Sequence, residues 1–146
     1  MNILAKPIEI LLVEDNEGDV GLIEEVLEEA RISNILHVAT DGEEAIRFLH
    51  HEGKFAGSPR PDIILLDLNL PKKDGREVLR EIKEDSNLKK IPVVILTTSG
   101  AEKDILRAYE LHTNAYVTKP LDFDQFIMVI KSIASFWLEI VKLPTK

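Results

Sequence analysis

The chain has 146 residues, 26 of them acidic against 18 basic, giving a formal net charge of −8, and it contains no cysteine. That length suits one domain folded around its own core, and the negative charge speaks against general nucleic-acid binding because phosphates would be repelled. Without cysteine there are no disulfides, thiolate zinc sites, Cys nucleophiles or iron–sulfur clusters. No apolar run approaches the length of a membrane span, and the N-terminus from Met1 to Lys6 is too short for a signal peptide. The expectation is a soluble, acidic, cytoplasmic domain.

In chain order, apolar runs at residues 8–13, 35–39, 63–66, 93–96 and 115–117 predict five short strands. Most are Ile, Leu and Val without alternation, the pattern of a strand covered on both faces of a parallel sheet. The stretches between them have helical spacing. In the first, Leu22, Ile23, Val26, Leu27 and Ala30 form one stripe, while Glu24, Glu25, Glu28 and Glu29 read as a solvated face. Each helix carries a start signal of one form: Asn16 with Asp19, Asp41 with Glu44, Asp74 with Glu77, Ser99 with Glu102, and Asp122 with Gln125. These match or mimic the capping box, in which a cap oxygen and a side chain three residues on satisfy orphan backbone donors. Five such signals in step with five strand runs predict repeated β–α units and a parallel sheet with helices on both faces. Residues 52–61, with Gly53, Gly57, Pro59 and Pro61, read as a long surface loop.

In open α/β sheets ligands sit at the carboxyl ends of the strands, so the polar residue ending each run is the candidate for chemistry. The first run ends in Glu14-Asp15, the third in Asp67, the fourth in Thr97 and the fifth in Thr118-Lys119-Pro120. Three carboxylates in one crevice are costly, since two unit charges about 4 Å apart repel by roughly 4 kcal/mol at an effective dielectric near 20. Such a cluster must hold a proton, raise a pKa or bind a cation. Oxygen-only ligands point to a hard cation, and Mg²⁺ suits a few carboxylates with waters and a phosphate. With a metal present, Asp67 could attack a phosphoryl group, with Lys119 and Thr97 on the phosphoryl oxygens.

These residues resemble those of bacterial response-regulator receiver domains, over residues 8 to about 133. The matched set is Glu14-Asp15, Asp67, Thr97, Tyr116 and Lys119-Pro120, with 30 positions from Asp67 to Thr97 and 22 from Thr97 to Lys119. The resemblance implies a five-stranded parallel sheet in order 2-1-3-4-5, flavodoxin-like, with a long C-terminal helix. It implies one receiver domain spanning 1–146, with its core at 8–133 and a helical extension at 134–146. By the same resemblance Asp67 is the phosphoacceptor, Asp15, Asp67 and the backbone carbonyl of Asn69 bind Mg²⁺, and Glu14 acts largely through water. Thr97 and Tyr116 become the switch pair, and the Lys119–Pro120 bond is expected to be cis. The stretch 61–75, the loop at 52–61 and the tail 136–144 further resemble single-domain regulators paired with phytochrome-type histidine kinases.

Three other readings fit less well. An aspartate-nucleophile phosphatase of the haloacid dehalogenase type wants a second acid two residues after Asp67, where Asn69 stands and cannot transfer a proton. A flavin carrier would offer hydroxyls and amides in its first loop, whereas Glu14-Asp15-Asn16-Glu17 would repel a phosphate. A pseudo-receiver scaffold would not need Asp67, Thr97 and Lys119 together. His37, His50, His51 and His112 show no ligand spacing and read as surface or packing residues. The expected partners are a histidine kinase, by resemblance a phytochrome-type one, and an unidentified downstream protein, with neither nucleic acid nor membrane. The expectation also includes a homodimer through the C-terminal helix. On a helical wheel Phe126, Ile130, Ile133, Trp137 and Ile140 form one face, and Ile127, Leu138, Val129, Phe136 and Leu143 widen the apolar arc beyond what a core needs.

Overall fold

A computed structural model of the chain describes residues 7–134. Five strands, β1 (Ile8–Val13), β2 (Asn34–Ala39), β3 (Ile63–Leu66), β4 (Val93–Thr97) and β5 (Ala115–Thr118), alternate with five α-helices. The helices are α1 (Glu17–Glu29), α2 (Gly42–Leu49), α3 (Gly75–Glu84), α4 (Glu102–Glu110) and α5 (Phe123–Ala134). All strand pairs are parallel, in the order β2-β1-β3-β4-β5.

Side-chain alternation divides the core between the two faces of the sheet. Leu11, Val13, Ile64, Leu66, Val93 and Ile95 face Ala45, Phe48, Val78, Leu79, Ile82 and Ala108 of α2, α3 and α4. Ile10, Leu12, Ile63, Leu65, Val94 and Leu96 face Ile23, Val26, Leu27, Phe126, Ile127 and Ile130 of α1 and α5. The central strands β1, β3 and β4 are therefore apolar on both faces, which explains their unalternating sequence. On the edge strand β2, Ile35 and Val38 are exposed. Every buried side-chain nitrogen and oxygen among the described residues has a hydrogen-bond partner.

Three of the five predicted caps form with the expected spacing. Asn16, Asp41 and Asp122 accept from the backbone nitrogens of Asp19, Glu44 and Gln125. Asp74 instead accepts from Arg76, one residue short of the expected Glu77. The fourth helix is capped differently. It starts later than expected, with Ala101 at the cap position and no capping side chain, and the Ser99 hydroxyl donates to Asp104. A buried acid partner holds Ser99 more strongly than a helix end would.

Further departures lie outside the caps. Leu22, counted with the apolar stripe of α1, is 43% exposed, because the buried stripe is narrowed to Ile23, Val26 and Leu27. Residues 52–61 form a surface loop as expected, but one that is pinned: Gly53–Phe55 form a 3₁₀ turn, Phe55 packs edge-on against Phe48, and the Ser58 hydroxyl donates to the Phe48 carbonyl. On α5 the widened apolar arc is partly covered within the chain itself. Ile127 is buried and Val129 half-buried, while Met128, which the wheel leaves out, is 63% exposed. Phe136, Trp137, Leu138, Ile140 and Leu143 lie outside the described residues.

Candidate functional site

The carboxyl ends of β1, β3, β4 and β5 lie side by side and bring the strand-end residues together. Glu14 follows β1 and is 1% exposed; Asp67 follows β3 and is 6% exposed; Thr97 ends β4 and is fully buried. Carboxylate oxygens of Glu14, Asp15 and Asp67 all lie within 4.8 Å of one another. Asp15, in contrast, is exposed.

Lys119, just after β5, reaches across the crevice. Its Nζ donates to Glu14 Oε1 at 2.5 Å, to Asp19 Oδ2 at 2.8 Å and to Asp67 Oδ2 at 3.3 Å. The Lys119–Pro120 peptide that delivers this side chain is cis. Burial works against the ammonium's charge, but the hydrogen bonds to Asp19 and Glu14 and the charge on Asp67 outweigh it, so the Lys119 pKa is raised. Burial also pushes the Glu14 carboxyl above its ordinary range, despite its bond to Lys119. One ammonium bonds three carboxylates with Asp15 as a fourth beside them, and the surplus negative charge is of the kind a cation neutralises.

Donor chemistry and charge both fit a divalent ion. The three clustered ligands are carboxylate oxygens, with no imidazole or thiolate among them, the set suited to a hard cation. Loop geometry holds the acids in place. The Asn69 N–H donates to Asp67 Oδ1, leaving Oδ2 toward Lys119, and the Asn16 N–H donates to Glu14 Oε2. Behind Asp67 the chain folds back tightly, with the Gly75 N–H donating to the Leu68 carbonyl. A β-carbon at Gly75 would sit 2.1 Å from the Asp67 carbonyl oxygen, so only glycine lets α3 start against the end of β3.

Beside this pocket lies a second cluster. Thr97 Oγ1 accepts from the Asn69 amide at 3.4 Å and from the Ser99 N–H at 3.3 Å. The Tyr116 hydroxyl donates to the Ser99 carbonyl at 2.8 Å, and burial raises its pKa. Arg76 makes a two-pronged bond to Asp104, with Nε and Nη2 each at 2.8 Å, and the Ser99 hydroxyl donates to the same carboxylate at 2.6 Å. The Arg76 guanidinium holds Asp104 down at a pKa of about 2.

All strand-end residues picked from the sequence meet at this one end of the sheet, with Tyr116 at its margin. Asp19, Arg76, Ser99 and Asp104 also belong here, and of these the sequence points out only Asp19, as a helix-start residue, and Ser99, as a helix start and, by the resemblance, as the variable position two after Thr97 that influences phosphoryl lifetime. Asp104 does leave a signal: it shares a helical stripe with Ala108 and Leu111, and an acid on such a stripe implies a buried partner. No comparable signal marks Arg76.

The profile of the response regulator receiver domain matches residues 10–131. The chain belongs to the response-regulator receiver family. It is a phosphoacceptor of two-component signal transduction, and its partner is a histidine kinase. Response regulator Rcp1 of Synechocystis is 53% identical over 135 residues, covering 92% of each chain. The crystal structure of the phosphorylated cyanobacterial phytochrome response regulator RcpA is 50% identical with a TM-score of 0.80, over 92% of this chain and 96% of that one. The Mn²⁺-bound form of Rcp1 is 52% identical with a TM-score of 0.79, over 91% and 96%. Binding of a divalent metal is in keeping with this family. Among the described residues no helix is long and apolar enough to cross a membrane.

Proposed function

We propose that Asp67 is the residue that takes the phosphoryl group and that the resident ion is Mg²⁺, held by Asp15, Asp67 and the Asn69 carbonyl with Glu14 acting through water. The observation that carries this reading is Asp67 itself: an acid buried at the end of a central strand, clustered with two other carboxylates and 3.3 Å from an ammonium. Bound there, the ion would neutralise charge on the acids and on the incoming phosphoryl oxygens.

The chain's own residues supply the rest. An Asp67 carboxylate oxygen attacks phosphorus; the bond from phosphorus to the donor's imidazole nitrogen, or to an acyl oxygen of a small donor, breaks, and the donor leaves with that electron pair. The Lys119 N–H now directed at Asp67 takes a phosphoryl oxygen. Thr97 gives up its weak contacts with Asn69 and Ser99 to donate its hydroxyl to another, drawing the loop after β4 and with it Ser99, Tyr116 and α4. The reaction catalysed is the protein's own phosphorylation and dephosphorylation and no other. Incubation with acetyl phosphate and Mg²⁺ should label the wild type stoichiometrically, and neither Asp67→Asn nor an EDTA-treated sample should label. Equal labelling of Asp67→Asn would assign the acceptor elsewhere. Thr97→Ala should accept phosphate yet lose the phosphorylation-linked change in partner binding.

The donor we assign is a phytochrome-type histidine kinase of the cytoplasm, a reading supported by the likeness to Rcp1 and RcpA. The 1–146 chain is taken as one receiver domain, its core at 8–133 and a helical extension at 134–146, which signals through contact with a downstream protein. A homodimer is part of this reading, and Phe123 and Met128, exposed on α5, support it. Sedimentation at micromolar concentration should give about twice the 16.5 kDa chain mass, and a monomer with and without phosphorylation would refute the pairing.

A further inference from the structure

Asp19 does not belong to the set of residues that the acceptor reading requires, yet it makes one of the two short bonds to the ammonium. Lys119 has three N–H donors and uses all of them: 2.5 Å to Glu14, 2.8 Å to Asp19 and 3.3 Å to Asp67. The long bond is the one directed at the acceptor and the one a phosphoryl oxygen replaces. The two short bonds are anchors, and they differ in kind. Glu14 is fully buried beside the proposed cation, whereas Asp19 is a third exposed and lies in the first turn of α1. That turn is itself fixed, because the Asp19 N–H donates to Asn16 Oδ1 at 3.0 Å.

We propose that Asp19 is a positioning residue for phosphoryl transfer, holding Lys119 so that its third N–H points at Asp67. The inference rests on Asp67 being the acceptor and Lys119 the phosphoryl ligand. Lysine carries its charge on a flexible four-carbon stem, so its aim depends on what grips the head. With Asp19 neutralised, Glu14 alone would draw the ammonium toward the metal-binding side of the crevice and away from the line to Asp67. Displacements of an ångström or so cost up to about a hundredfold in rate when they fall on a group that must meet the reacting atoms.

The test is the rate of phosphorylation by acetyl phosphate at saturating Mg²⁺, measured on the full chain. Asp19→Asn should lower that rate about tenfold, while Asp19→Glu, whose carboxylate can reach the same ammonium, should restore most of it. Lys119→Met will be slow by itself, and long incubation makes its residual rate readable. Adding Asp19→Asn to Lys119→Met should change that rate less than twofold, because an effect exerted through Lys119 vanishes with it. An unchanged or faster rate in Asp19→Asn overturns the proposal. So does a tenfold loss that persists in the Lys119→Met background, which would make Asp19 a helix-terminus charge acting on stability or on the ion. Should Asp19→Asn fold poorly by circular dichroism, Asp19→Ser, suited to a first helical turn, takes its place. The underlying acceptor reading fails separately, if Asp67→Asn still labels; an inert Asp67→Asn beside a fully active Asp19→Asn defeats only the positioning role.

Discussion

Two charged clusters flank Asp67, and they are built on opposite principles. Around Lys119, one ammonium bonds Glu14, Asp19 and Asp67, Asp15 adds a further carboxylate beside them, and both burial of Glu14 and mutual repulsion leave the group short of positive charge. Around Arg76, a guanidinium meets Asp104 through two parallel bonds, with Asp74 and the Leu68 carbonyl as further acceptors, and every buried polar atom is partnered. The first cluster is unfinished as a protein structure and is completed by something that arrives. The second is complete, and it ties α3, which begins against the end of β3, to α4. A crowded acidic site and a paired link between helices thus sit side by side, distinguished by how far buried negative charge outweighs positive.

The sharpest way to break both at once is at their shared hinge. In Gly75→Ala the new methyl would meet the Asp67 carbonyl oxygen at 2.1 Å and Leu68 Cα at 2.6 Å, both backbone atoms that cannot step aside. The start of α3 must move, displacing Asp67 on one side and Arg76 on the other. We expect about 3 kcal/mol of lost stability in urea unfolding, at the upper end of overpacking costs, together with a lower phosphorylation rate. A variant of wild-type stability would show that the two clusters do not share this constraint.

Next in size is the complete cluster alone. Asp104 is held at a pKa of about 2 against an ordinary 3.8, so its pairing contributes about 2 kcal/mol when ionised in both states. Because the folded pKa is depressed, that contribution is present above pH 3.8 and is lost as pH falls through 2. Asp104→Asn should therefore cost about 2 kcal/mol at pH 6 and roughly half of that at pH 3. A cost independent of pH would mean that the substitution disturbs packing, not charge pairing.

The same contrast explains what was legible in the sequence. Strands β1, β3 and β4 announce themselves because both faces need apolar cover, and a strand-end acid such as Asp67 stands out against that background. Parallel topology then gathers residues 14, 67, 97 and 119 without further information. The Arg76–Asp104 link had no such frame. Its partners lie 28 positions apart on two helices whose relative placement depends on how the sheet twists and how residues 70–75 turn. Ser99 shows the same limit. From its local sequence it is a helix cap, yet its hydroxyl donates to Asp104, five positions on in the same helix, whose carboxylate Arg76 holds. Likewise Leu22 shares a periodic stripe with Ile23, yet the width of the groove between α1 and its neighbours decides which is covered.

Smaller, and opposite in sign, is the effect expected in the unfinished cluster. Glu14→Gln removes a buried negative charge from a site that has too many, while Lys119 keeps Asp19 and Asp67. We expect thermal stability without added metal to rise by about 1 kcal/mol, as often found when a strained buried charge is neutralised. Affinity for Mg²⁺, read from the ion's own stabilisation of the fold, should fall at the same time. Stability and affinity that fall together would contradict the charge surplus and make Glu14 an ordinary partner of Lys119.

The smallest effect tests whether stability and signalling can be separated away from both clusters. Helices α1 and α4, which carry Asp19 and Asp104, end alike. Arg31 and His112 stand just past their ends at φ 57° and 60°, and Ile32 and Thr113 close the turns by donating to the Leu27 and Ala108 carbonyls. This left-handed cap is where glycine is the usual residue, and a side chain there costs about 1 kcal/mol or more. Replacing it with glycine relieves that strain but frees the unfolded chain, which returns about 0.4–1 kcal/mol. Arg31→Gly and His112→Gly should each stabilise by about 0.5 kcal/mol net and should add when combined, since the sites share no contacts. Phosphorylation rates should stay at the wild-type level in both. If His112→Gly alters the phosphorylation-linked binding change while Arg31→Gly does not, the end of α4 takes part in the link that Arg76 and Asp104 form, and the boundary between the two clusters moves outward to include it.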